Sequence, residues 1–178
     1  MDWNKLKFTK LENELIEFLF RNPTTVFNGK ELAIKLKVSQ TAIAKSVRNL
    51  TKLGLLNMEK KILLSIKLNR ENKDIFTLKR IFNFKEMYIS GLVQHLSSEF
   101  PGSAIVLFGS YSYGEDTEES DIDIALIGYK DRSIDLQSFD SRLQRKTQIH
   151  FFKDNKDIHK NLKENIINGI VLYGAVKL

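Results

Sequence analysis

Residues 104–128 read AIVLFGSYSYGEDTEESDIDIALIG. An apolar run over 104–108 ends in Gly109-Ser110, and a polar loop containing Gly114 follows. The segment closes on Asp121-Ile122-Asp123-Ile124-Ala125-Leu126-Ile127. Alternation with a period of two marks a strand over 121–127 and puts Asp121 and Asp123 on one face, about 6 to 7 Å apart along it. Two carboxylates at a strand mouth repel each other and are costly to desolvate, and a divalent cation relieves both. Magnesium suits carboxylate, water and phosphate oxygens. Gly109-Ser110 falls at a strand-to-helix turn, whose free N–H groups can hold a phosphate. Ser110 adds a hydroxyl. The plainer reading of Asp121 is a cap or turn former.

Downstream, residues 131–145 read as a loop and a helix whose inward side is Leu136, Phe139 and Leu143. Residues 147–152 read as a strand, and 157–169 as a last helix carrying Ile158, Leu162, Ile166 and Ile167. The tail 170–174 is apolar. Upstream, apolar spacing predicts one connecting helix over at least 84–99, starting as early as 75, with Asn83 and Gly91 as imperfections; Pro101-Gly102 ends it. Its aromatic residues Phe76, Phe82, Phe84 and Tyr88 suit a core or domain seam, and equally a homodimer surface.

The front of the chain differs in charge. Residues 1–80 hold 17 Lys and Arg against 8 Asp and Glu, a net +9; residues 81–178 hold 11 against 14, a net −3. Two modules with different partners follow, the first suited to nucleic acid. Trp3 and Phe8 are candidate packing anchors in a basic start. Helices are predicted over 11–20, ended by Asn22-Pro23, over 30–37, and over 40–53 behind Ser39 as N-cap. Gly54 stops the third helix. A strand begins at Leu55-Leu56, a second covers 61–68, and 69–72 forms a turn. With no cysteine there is no disulfide, thiol nucleophile or thiolate metal site. His95, His150 and His159 are too scattered for a zinc motif. No segment reads as membrane-spanning or as a signal peptide, so a cytoplasmic protein is expected.

Gly-Ser, ten residues (111–120) and Asp-x-Asp, with small residues Gly114 and Ser120, resemble the motif of the nucleotidyltransferase superfamily, which includes polymerase beta and the minimal nucleotidyltransferases. The resemblance extends more loosely over 84–178. It implies an α/β domain with a short mixed sheet and transfer of a nucleoside monophosphate from a triphosphate, ATP above all. Asp121 and Asp123 would be catalytic and hold magnesium or manganese. Gly109, Ser110 and Ser120 would bind the nucleotide. The family's third carboxylate falls on the next strand, where this chain has Gln148 and His150. His150 is open to three readings: a general base, a weak metal ligand or a pocket residue. Glu115, Asp116, Glu118 and Glu119 read as a solvated acidic loop that would repel a DNA backbone.

Three short helices, a two-stranded ribbon and the string Leu50-x-x-Leu53-Gly54-Leu55-Leu56 resemble the winged helix-turn-helix domain over residues 9–73. In such domains the start of the third helix meets the major groove. That implies Gln40, Thr41 and Lys45 near base edges, Arg48 and Lys52 near phosphate, and Lys60, Lys61 and Lys67 on the wing. The expected architecture is therefore two-domain α+β: a winged helix-turn-helix domain over 1–73, a connecting helix over 74–100 and a nucleotidyltransferase domain over 101–178. The expected function is metal-dependent transfer of AMP to a protein or small-molecule hydroxyl, coupled to DNA binding. Minimal members resemble antitoxins acting on a HEPN-type protein partner. The alternative is a nucleotide-sensing DNA-binding regulator with little or no catalysis.

Overall fold

The computed structural model describes residues 7–60 and 64–176. Trp3 and Lys61 lie outside the described residues. The chain divides into two compact units, 1–76 and 77–178.

In the first unit, α1 (Lys10–Arg21) starts at a capping box. Thr9 Oγ1 accepts from the Glu12 N–H, and the Glu12 carboxylate accepts from the Thr9 N–H at 2.8 Å. α2 (Gly29–Lys35) starts at a second box built by Asn28 and Glu31. α3 (Gln40–Lys52) starts at Ser39, whose hydroxyl accepts from the Ala42 N–H. Each box satisfies N–H groups that a helix start leaves without partners. β1 (Leu56–Lys60) and β2 (Leu64–Leu68) pair antiparallel, and Phe27 adds a bridge to Ile66. Leu15, Leu19, Leu32, Ile43, Leu50 and Ile66 are fully buried at the centre of this unit.

Glu12 is itself buried and also accepts from the Asn49 amide at 3.0 Å. Burial pushes its carboxyl up, but the Thr9 N–H, the Asn49 amide, the Thr9 hydroxyl and the Lys45 charge together hold it below the usual glutamate value. A carboxyl lowered by folding stabilises fully above its unfolded value. That contribution fades as pH falls through the lower, folded value. In urea denaturation followed from pH 7 to pH 3, Glu12→Gln is expected to be less stable than the native chain at pH 7, with the gap closing on the acid side. A gap independent of pH would contradict this.

The expected single connecting helix is two. α4 (Lys73–Ile89) and α5 (Leu92–Glu99) are separated at Gly91. Gly91 takes φ 82°, a left-handed conformation that stops a right-handed helix and that glycine adopts without strain.

The second unit holds a four-stranded sheet in the order β5-β4-β3-β6. The strands are β3 (Ala104–Phe108), β4 (Ile122–Ile127), β5 (Thr147–Phe152) and β6 (Ile170–Tyr173). β3 runs antiparallel to β4 and β6, while β4 and β5 are parallel, so the sheet is mixed. One face, with Ile105, Leu107, Ile122, Ile124 and Leu126, packs with Met87, Leu92, Leu96 and Phe100. The other, with Val106, Phe108, Ala125 and Phe152, packs with Ile158 and Ile166. The sequence read residues 170–174 as an apolar tail. Residues 170–173 form edge strand β6, with Leu172 buried and Val171 and Tyr173 exposed. α7 (Gln137–Leu143) and α8 (Lys160–Ile167) complete the unit, the latter after a 3-10 turn at Asn155–Asp157. Among the described residues no helix is long and apolar enough to cross a membrane.

Candidate active site

Antiparallel pairing brings the end of β3 beside the start of β4, so Phe108 lies opposite Asp123. Parallel pairing brings the start of β5 to the same end of the sheet, with Ile122 opposite Thr147 and Asp123 opposite Gln148. One sheet end thus collects Gly109-Ser110, the aspartate pair, Gln148 and His150. Asp121 stands one residue before the first residue of β4. Asp123 shares its face with Ala125, while Ile122 and Ile124 enter the opposite core. Both aspartates are half-buried.

Each aspartate has a partner from β5. The Gln148 amide donates to Asp121 Oδ2, and His150 Nε2 lies 3.1 Å from Asp123 Oδ1. The His150 ring packs edge-on against Phe108, with centroids 5.2 Å apart. Where the resemblance implied a third carboxylate, this chain supplies an amide and an imidazole. Among the described residues no group of three or more His, Cys, Asp or Glu is placed to hold a metal ion. Asp121 and Asp123 nevertheless offer hard oxygen donors on one strand face, a donor type that suits magnesium or manganese. Two carboxylates leave most of a six-oxygen shell to water and substrate phosphate.

α6 (Gly109–Tyr113) begins directly after β3, and no side chain caps its first turn. Gly109 has φ 72°, and a Cβ there would lie 2.7 Å from Asp123 Oδ2. Glycine is therefore needed twice: for its backbone conformation, and to let the Asp123 carboxylate rest against the turn. Gly109→Ala should cost about 1 to 2 kcal/mol in backbone strain alone and push the Asp123 carboxylate aside. Its expected result is a lower thermal midpoint, read by scanning calorimetry. An unchanged midpoint would contradict the close approach.

Ser112 Oγ donates to the Gly109 carbonyl at 2.8 Å, bracing the turn from within. The Ser110 side chain is half-buried beside it. Ser120 Oγ accepts from the Thr117 N–H at 2.9 Å and so closes the bend just before Asp121. An open groove of about 470 Å³ adjoins Asp121 on the β5 side, lined by Glu118, Glu119, Ser120, Asp140, Ser141, Gln144, Arg145 and Lys146.

The acidic loop is not uniformly solvated as expected, because Asp116 is 1% exposed. Lys79, equally buried, pairs with Asp116 Oδ1. Asn83 Nδ2 donates to that same oxygen and to the Tyr111 carbonyl, each at 2.8 Å. Arg145 Nη2 lies 4.0 Å from Asp116 Oδ2. The sequence did carry a trace of this. Ile75, Lys79, Asn83 and Met87 recur every four residues and are all buried, so two polar residues interrupt an apolar helix stripe.

The other predicted residues lie on the first unit. Gln40, Thr41, Lys45, Arg48 and Lys52 are exposed on α3. Four of them, Thr41, Lys45, Arg48 and Lys52, fall at helical spacing on one side. Lys67 is exposed on β2, and the backbone of Lys60 ends β1.

Residues 89–173 match the family model for the nucleotidyltransferase domain. Together with the mixed sheet, this makes the C-terminal part of the chain a nucleotidyltransferase-like domain. A segment of 46 residues is 48% identical to a protein of Methanocaldococcus jannaschii named as a putative protein adenylyltransferase. That match covers 25% of this chain and 46% of the archaeal protein, so the chain spans under half the length of that curated relative. No solved structure matches.

Proposed function

We propose that the second unit transfers AMP from ATP to a hydroxyl of a protein or small molecule. One observation carries this reading: the Asp123 carboxylate lies against Gly109, at a sheet end shared with Asp121 and the uncapped start of α6. Gly109, Ser110 and Ser120 serve the triphosphate, and Asp121 and Asp123 hold magnesium or manganese. When bound there, the cation neutralises charge on the phosphates and on the departing pyrophosphate. The acceptor oxygen bonds to the α-phosphorus, the bond from that phosphorus to pyrophosphate breaks, and His150 takes the hydroxyl proton. The name of the archaeal relative supports AMP as the group moved and a protein as its acceptor. An antitoxin-like pairing with a HEPN-type protein fits the same chemistry.

The first unit, in this proposal, is a winged helix-turn-helix domain that binds double-stranded DNA, with residues 39–67 as its binding surface. Its support is the net charge of the front half and the exposed side of α3 bearing Lys45, Arg48 and Lys52. A mobility shift should weaken steeply with salt. Lys45→Ala or Arg48→Ala should flatten the salt slope by about one for each phosphate that is no longer neutralised. A slope unchanged by both variants would sink this part.

The second reading is a nucleotide-sensing regulator without catalysis. It is favoured by Gln148 and His150, which give the aspartate pair hydrogen-bond partners instead of a third carboxylate. Incubation of the protein with α-labelled ATP, magnesium or manganese and a cell extract separates the two. Label moved to an acceptor supports the transferase. Tight triphosphate binding with no transfer supports the sensor.

A further inference from the structure

We propose that Lys79, Asn83 and Asp116 are positioning residues that set the Gly109-Ser110 turn in register with Asp121. This inference rests on the transferase reading of that site. Asp116 lies within the ten residues that join the two halves of the motif, five before Asp121. It is fully buried and touches two separate parts of the unit. Lys79 and Asn83 reach it from α4, and Arg145 reaches it from just before β5. Asn83 also ties in α6, since one amide nitrogen serves both the Tyr111 carbonyl and Asp116. The Lys79 ammonium lies 5.8 Å from the centre of the Tyr111 ring, a second link to α6.

A buried ion pair is a poor way to stabilise a fold, because desolvation offsets most of its attraction. An apolar pair of similar volume does that as well or better. What the charged pair adds is direction: a carboxylate with fixed donors holds its loop in one place. The loop here ends on a metal-binding aspartate, and the tied helix begins with the phosphate turn. A misplacement of about 1 Å at such a site is enough to lower a rate about a hundredfold.

The test compares the native chain with Asn83→Leu and with the paired change Lys79→Met plus Asp116→Leu. Thermal midpoints, affinity for ATP with manganese by titration calorimetry, and KM and kcat for label transfer are measured for each. Both variants are expected to stay folded, to bind ATP at least about tenfold more weakly and to lose about a hundredfold in kcat/KM. A folded variant with native ATP affinity and native kcat/KM overturns the inference. Where one variant fails to fold, the other decides. Amide exchange in the native chain adds a check that needs no variant. The Gly114 and Glu115 amides, bonded to α6 carbonyls, and the Thr117 and Ser120 amides, bonded to each other's residue, should exchange as slowly as β4, and exchange at solvent-loop rates overturns the inference too. Failure of the transferase reading looks different, because then the native chain itself neither binds ATP with manganese nor transfers label.

Discussion

Asp121→Asn combined with Asp123→Asn is expected to lower label transfer from α-labelled ATP by at least about a thousandfold. The cation these carboxylates would hold contributes several kcal/mol to charge stabilisation at the reacting phosphates, and each 1.36 kcal/mol is tenfold in rate. The fold should survive, because asparagine keeps the shape and an acceptor oxygen for Gln148 and His150. Removing two like charges from one strand face also relieves repulsion. The expected thermal midpoint is therefore equal to that of the native chain or higher. Loss of transfer with unchanged stability separates a chemical role from a structural one. Retained transfer in a folded variant would remove these carboxylates from the chemistry.

Lys79→Met alone should have the largest effect on stability. It leaves the Asp116 carboxylate 1% exposed and without its ammonium, with only Arg145 at 4.0 Å as a charge partner. Breaking a buried pair from one side costs about 3 to 5 kcal/mol, much of the total stability of a domain this size. For a unit of about one hundred residues that corresponds to a fall of roughly 15 °C or more in midpoint. Met is close to Lys in volume and shape, so little of the loss comes from packing. Adding Asp116→Leu to Lys79→Met should restore part of the midpoint, since the buried carboxylate is gone and only Arg145, 4.0 Å from it, loses a charge partner. A double variant no more stable than Lys79→Met would mean that the loss was one of shape.

Much of the second unit was legible in one sequence because its signals are local. Alternation of aspartate and isoleucine located β4, and the apolar run before Gly109 located β3. The spacing between Gly109-Ser110 and Asp121 then carried the resemblance to the nucleotidyltransferase motif. The Lys79–Asp116 pair was not legible in the same way. Its partners stand 37 residues apart, and neither position has a local pattern that demands burial. The acidic run around Asp116 argued for solvent, and the interruption of the apolar helix stripe at Lys79 and Asn83 names no partner. The break at Gly91 was visible as an imperfection. Whether a glycine interrupts a helix or is tolerated in it depends on the packing on either side, which periodicity does not carry. The resemblance names Gln148 and His150 on the next strand, but which aspartate each one meets depends on the parallel register of β4 and β5, a long-range feature.

The most direct measurement is the relaxation of water protons by manganese with ATP, with and without the protein. Manganese held in a complex of protein and nucleotide relaxes water faster than manganese on ATP alone, because the larger complex tumbles more slowly. The native chain is expected to enhance relaxation, and the chain with Asp121→Asn plus Asp123→Asn is expected to give no enhancement. Equal enhancement by both, or none by the native chain, would contradict a cation held between these carboxylates and the triphosphate.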